Sequence, residues 1–233
     1  MARHRRGRAG PAARAGRLSV PSPRRDAPAT VLLVRHGQTS TTGKVLPGRA
    51  SGLHLSDRGR AQAEAVAARL GALPRRPAAV YASPLDRAAE TAAPIARALR
   101  LRVRTAPGLV ECDFGDWTGA RLSALRRRRE WATVQRSPST FRFPRGESFV
   151  ELQARSWEAV QALASAHPGE ALVAVSHADP IKAVVAAALG IPLDLFQRTV
   201  VSTCSVTALV IGAGSPIVLC VNALGDLAEL APS

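Results

Sequence analysis

The sequence predicts an α/β fold: three layers, α/β/α, around a central mainly parallel sheet. Three observations predict it. The apolar run Val31-Leu32-Leu33-Val34 breaks at Arg35-His36-Gly37, "AAVYAS" at 78–83 runs into Ser83-Pro84 and a helical pattern, and "ALVAVSH" at 171–177 runs into "ADPIKAVVAAAL". Strand, polar junction and helix recur three times, the rhythm of a parallel sheet covered on both faces. In such sheets ligands collect in the crevice outside the carboxyl ends of the strands, where these three junctions fall.

Each element has a local reason. The first strand is apolar throughout with β-branched ends, as a doubly covered strand should be. After it, residues 40–55 carry Gly43, Pro47, Gly48 and Gly52 as breakers and form a loop long enough to rim a site, with Lys44, Arg49 and His54 as solvated rim charges. Ser56 offers an N-cap for "DRGRAQAEAVAARL", which stops before Gly71 and Pro74. Pro84 suits the first helical position of the next helix, which Pro94 is expected to kink. A helix follows Gly119, another covers about 147–166, and Gly190 closes the helix after His177. "CSVTALVIG" and "PIVLCVNAL" read as two closing strands.

Composition bounds the rest. At 233 residues and 46% apolar content the chain can bury one large core, assigned to residues 29–233. Residues 1–28 hold eight arginines and one acid, rich in Ala, Pro and Gly without apolar periodicity, and are expected to be a disordered basic tail. That tail holds about half of the net charge of +15. Because arginine is 30 of the 32 basic residues and alanine is abundant, we read the charge as compositional skew, and nucleic acid is not expected as a partner. No apolar run is long enough for a membrane span or signal, so a cytoplasmic protein without membrane contact is expected. Cys112, Cys204 and Cys220 are widely spaced and odd in number, which suits free thiols and argues against a zinc site.

The junctions present Arg35, His36, Arg87 and His177. If they converge, two guanidinium forks, two imidazoles and adjacent helix amino termini make a pocket for a dianion with several oxygens, phosphate foremost.

The chain resembles the histidine phosphatase superfamily, its phosphoglycerate mutase-like branch, through "LVRHGQT" at 33–39, "SPLDRAAET" at 83–91, "LVECDFGDWTG" at 109–119, "PRGES" at 144–148 and "VSHADP" at 175–180. The resemblance implies a phosphoglycerate mutase-like fold and a nucleophilic His36 that forms a phosphohistidine. It also implies a proton donor and acceptor at Glu111, and Arg35, Arg87 and His177 spreading phosphoryl charge. Gln38 and Thr39 are further substrate-contact candidates, while Phe114 and Trp117 would pack the Glu111 loop. The scheme requires no metal and no cofactor.

Two departures stand out. Where many relatives place tryptophan and asparagine after the R-H-G triplet, this chain reads Ser40-Thr41-Thr42-Gly43, so a phosphate contact is lost or passes to Thr42. Ala178-Asp179 follows His177 where glycine is common, setting an acid beside a dianion site. Glu111 and His177 are 66 residues apart and little chain follows the last strand, which favours a phosphatase of a small phosphate ester over a phosphomutase. A non-catalytic phosphate-binding protein is the reading from another class, and a homodimer stays open.

Overall fold

A computed structural model describes residues 27–225 and 227. The expected basic tail falls outside the described residues up to position 26. Ala27 is already tied in: its carbonyl accepts from the Gly169 N–H at 3.0 Å.

Among the described residues six strands form one sheet in the order β3-β2-β4-β1-β5-β6: β1 Ala29–Arg35, β2 Ala79–Ala82, β3 Val103–Thr105, β4 Ala171–Ser176, β5 Val206–Ile211 and β6 Ile217–Ala223. The first four run parallel, and β5 and β6 close the sheet through antiparallel pairings. The sheet is therefore mixed at one edge, where a direct return from β5 to β6 needs only a short turn.

The pleat explains the layers. In β1, Leu32 and Val34 enter one core with Val173 and Val175 of β4, while Val31 and Leu33 enter a second core with Leu172 and Ala174. The first core is roofed by α1 (Asp57–Gly71) and α2 (Asp86–Leu99), through Val66, Leu70, Ala92 and Ile95. The second is roofed by α5 (Phe149–Ser165) and α6 (Ala178–Leu189), through Val160, Ile181 and Val184. Both faces are covered, so the alternating sets are all apolar and the strands read as unbroken runs.

Several boundaries differ from the sequence reading. Ser56 caps α1 as expected, its Oγ accepting from Gly59 N. α2 starts at Asp86 with Leu85 as N-cap, which leaves Pro84 ahead of the helix, and it continues through Pro94. In place of one helix after Gly119 there are two short ones, α3 (Leu122–Leu125) and α4 (Glu130–Arg136). They hold up a third apolar cluster in which Phe143 meets Trp117, Phe141 and Phe149 edge to face, while α5 opens on a Ser148–Glu151 capping box. β3 has no counterpart in the sequence reading: three exposed residues on an edge carry no apolar pattern.

Candidate active site

Adjacent parallel strands bring their carboxyl ends to one edge. In the order β2-β4-β1 this sets Ser83, His177 and His36 side by side, each beginning where its strand stops. The strand ends are pinned together: His36 N donates to Ser176 O at 2.9 Å and Ser83 N to Val175 O at 2.9 Å. The His36 and His177 rings stand 5.1 Å apart at a 58° tilt.

The turn after His36 needs two glycines. A Cβ on Gly37 would lie 2.6 Å from the Gly59 carbonyl oxygen, and one on Gly59 would lie 2.0 Å from the Gln38 carbonyl oxygen. The start of α1 thus packs directly on the backbone that carries His36. Thr91 of α2 locks the same turn, accepting from Gly37 N at 2.9 Å while donating to its own helix at the Arg87 carbonyl, 2.7 Å.

His36 has one tautomer open to it. Its Nδ1 lies 2.7 Å from the Gly37 carbonyl oxygen, which can only accept, so Nδ1 carries the hydrogen and Nε2 keeps its lone pair. Burial, then Arg87 and Arg35, push its pKa down to about 3, against a raising contribution from the Gly37 hydrogen bond. The ring is neutral at physiological pH.

Arg87 is fully buried, with Nη2 donating to the Gly48 carbonyl at 2.7 Å and with Nε and Nη1 unpartnered among the described residues. Arg35 donates from Nη1 to Val201 O at 2.6 Å, and its Nε is likewise buried without a partner. His177 contacts Ser83 Oγ through Nε2 at 2.7 Å and leaves Nδ1 unpartnered. Orphaned buried donors are uncommon, and here they cluster around one imidazole, as a preformed seat for an oxyanion would. Glu90, three residues after Arg87, is engaged elsewhere: it takes His54 Nδ1 at 2.5 Å and Leu55 N at 2.8 Å.

Glu111 is 7% exposed and accepts from Cys112 N at 3.0 Å. Burial and the neighbouring Asp179 raise its pKa to about 7, against the Cys112 hydrogen bond and the two arginines. Its loop is held by a network the sequence reading did not find. The Glu111 carbonyl accepts from Arg49 Nε at 2.9 Å and Arg155 Nη2 at 3.0 Å. Arg155 Nη1 grips the Gly108 and Val110 carbonyls, and the Glu147 carboxylate takes Arg155 at 2.6 and 2.9 Å and Arg49 at 3.2 Å. In the sequence Glu147 lies in "PRGES" and Arg49 looks like a rim charge of the loop at 40–55. Only their pairing across the chain reveals what they do. Phe114 packs edge to face on Phe143 and Trp117 stacks on Trp131 beneath the loop, as the packing reading expected.

A cleft of about 240 Å³ opens over the site, lined by Arg35, His36, Thr39, Thr42, Glu111 and Asp179 among others. Thr39 is thus at the cleft, with Thr42 Oγ1 accepting from its N–H at 2.9 Å. Gln38 is not among the lining residues: its N–H donates to Gln62 and its carbonyl accepts from Ser56, tying it to α1. Asp179, in the first turn of α6, faces Lys182 at 3.5 Å.

A mycobacterial glucosyl-3-phosphoglycerate phosphatase superposes with a TM-score of 0.74 at 29% identity, over 83% of this chain and 98% of that one. The uncharacterized protein Rv0525 of Mycobacterium tuberculosis is 44% identical over 133 residues, 56% of this chain and 63% of its own length. The metal-independent phosphoserine phosphatase of Arabidopsis thaliana is 35% identical over 147 residues, 60% of each chain. The matched region spans about three fifths of the length of these curated relatives. The histidine phosphatase superfamily (branch 1) matches over residues 31–224, from the strand that delivers His36 to the last strand of the sheet, and the chain belongs to that family.

Proposed function

We propose that the protein is a metal-independent phosphomonoesterase that transfers the phosphoryl group of a small phosphorylated metabolite to His36 and then to water. The carrying observation is the state of His36: neutral, oriented by the Gly37 carbonyl, and surrounded by unpartnered guanidinium and imidazole nitrogens.

In the first step Nε2 of His36 attacks phosphorus and the ester P–O bond breaks. Arg35, Arg87 and His177 meet the charge on the phosphoryl oxygens, which is the main service a protein renders in phosphoryl transfer. For His177 this requires Nδ1–H, so the Ser83 hydroxyl donates to its Nε2. The carbonyl of Gly37 stays hydrogen-bonded to Nδ1–H and offsets the positive charge that forms on the ring. Glu111, about half protonated at neutrality and more so beside a bound dianion, gives its proton to the leaving alkoxide. In the second step the Glu111 carboxylate takes a proton from water as its oxygen attacks phosphorus. The P–N bond breaks, phosphate leaves and Glu111 is protonated again.

The test is phosphate release from an aryl phosphate in EDTA, together with rapid-quench trapping of the phosphoenzyme. Wild type is expected to turn over and to yield an acid-labile, base-stable phosphoryl group on His36, and His36→Ala to do neither. Turnover abolished by EDTA, or retained in His36→Ala, would sink the mechanism. Interconversion of 2- and 3-phosphoglycerate faster than phosphate release would make the enzyme a mutase.

A further inference from the structure

The loop at 40–55 is fastened on both sides of the phosphate seat. On one side the start of α2 grips it: Arg87 Nη2 donates to the Gly48 carbonyl at 2.7 Å, Gly52 N donates to Asp86 Oδ2 at 2.8 Å, and Glu90 takes Leu55 N at 2.8 Å and His54 Nδ1 at 2.5 Å. On the other side the loop reaches the segment that carries the acid. Arg49 Nε donates to the Glu111 carbonyl at 2.9 Å, Nη2 donates to Glu147 Oε2 at 3.2 Å, and Nη1 faces Asp113 at 3.7 Å.

The two fastenings are adjacent in the chain. Gly48 orients the phosphate-binding guanidinium and Arg49 holds the backbone of the acid, so one peptide bond joins the two halves of the site. Gly48 has a φ of +52°, and a Cβ there would lie 2.9 Å from Thr118 Oγ1 and 3.2 Å from the Phe114 ring, so this turn also presses on the chain that follows Glu111. Arg87 spends Nη2 on Gly48 and keeps Nε and Nη1 for phosphoryl oxygens, so the link persists when substrate is bound. Among the described residues the one hydrogen bond to the Glu111 carboxyl group comes from Cys112 N, the next residue, which leaves the placement of the acid to whatever holds its backbone. Proton transfer requires that placement to match the held phosphoryl group.

We propose that Arg49 is a positioning residue: with Gly48 it forms a splint between Arg87 and Glu111 that sets the proton donor against the leaving oxygen of a phosphoryl group already in its seat. This rests on the phosphatase reading above. Arg155 ties the acid loop to α5, whereas Arg49 ties it to the phosphate seat, so cutting the splint should damage leaving-group protonation rather than phosphate binding.

The test is kcat/KM, which reports the steps up to the phosphoenzyme, for wild type and Arg49→Ala across aryl and alkyl phosphates of rising leaving-group pKa. The Arg49 side chain is 37% exposed and Glu147 keeps Arg155 in the variant, so the fold should survive. A nitrophenolate scarcely needs a proton and an alkoxide must receive one, so the loss should grow along the series from about twofold to at least about tenfold. In a Glu111→Gln background the same substitution should cost the alkyl ester less than about twofold, because the group it positions is gone. Inorganic phosphate, a competitive inhibitor, should bind Arg49→Ala as it binds wild type. Arg49→Lys keeps the charge but loses the planar fork and should follow the alanine variant. An equal loss along the series, a loss undiminished beside Glu111→Gln, weakened inhibition by phosphate, or full recovery with lysine each overturns the proposal. If wild type turns over no phosphate ester, the phosphatase reading has failed and the splint falls with it; turnover in wild type with a flat series removes the splint alone.

Discussion

Glu111 should weaken the fold near neutral pH, and Glu111→Gln should show by how much. The carboxyl group is almost fully buried, and its pKa is raised from 4.5 to about 7 by burial and by Asp179. Between these values the unfolded chain has released a proton that the folded chain still holds, so stability falls as pH rises through that window. The loss is nearly absent at pH 4, about 1 kcal/mol at pH 5 and levels off near 3 kcal/mol by pH 8. Glutamine has almost the same shape, its Oε1 can accept from Cys112 N, and it does not ionise. Its gain over wild type should therefore be about 2 kcal/mol larger at pH 8 than at pH 5.

The assay is urea unfolding of both proteins at the two pH values. Any fixed penalty from the amide is the same at both, so the difference of differences reads the titration of residue 111 together with its interaction with the neighbouring charges. The same variant should lose at least about 10²-fold in turnover of an alkyl phosphate, the usual weight of a general acid, and less in the phosphorylation step with an aryl phosphate, whose leaving group scarcely needs a proton. If the gain is equal at pH 5 and pH 8, Glu111 is not the buried, neutral acid described here, and its assignment as proton donor fails with it.

Three further changes test the scaffold. Arg155→Ala leaves the Glu147 carboxylate short of its main partner and frees the carbonyls of Gly108, Val110 and Glu111, so unfolding should come about 3 kcal/mol more easily and kcat should fall more than KM rises; unchanged kcat in a folded variant would mean that Arg155 does not position the acid. Gly59→Ala drives a Cβ to within 2.0 Å of the Gln38 carbonyl oxygen and should cost at least about 2 kcal/mol in chemical denaturation, with lower turnover because the Gly37 turn must shift. A stability change below a few tenths would contradict that contact. Ser83→Ala removes the partner of His177 Nε2 and should lower kcat by about tenfold with little effect on melting, since the ring loses the hydrogen bond that fixes its tautomer; equal kcat would assign His177 a role that does not depend on its tautomer.

Much of the layered fold could be read from the chain because the determining signal is local. Val31–Val34 and 171–176 are apolar without interruption since both strand faces are covered, and a polar residue at each strand end marks where the sheet meets solvent and ligand. The meeting of His36, His177 and Ser83 follows from that alone: parallel neighbours must release them at the same edge. The supports of Glu111 are different in kind. Arg49, Glu147 and Arg155 come from a rim loop, a turn and the middle of a helix, and each looks like one more charge in a chain with 30 arginines. Nothing in a linear pattern distinguishes an arginine that holds three carbonyls from one that faces water. The same limit applies to β3 and to the 120–136 segment, where short exposed elements take their form from neighbours rather than from periodicity. The placement of His36 was therefore written at a strand end, while that of Glu111 depends on charges whose meaning exists only once the chain has folded.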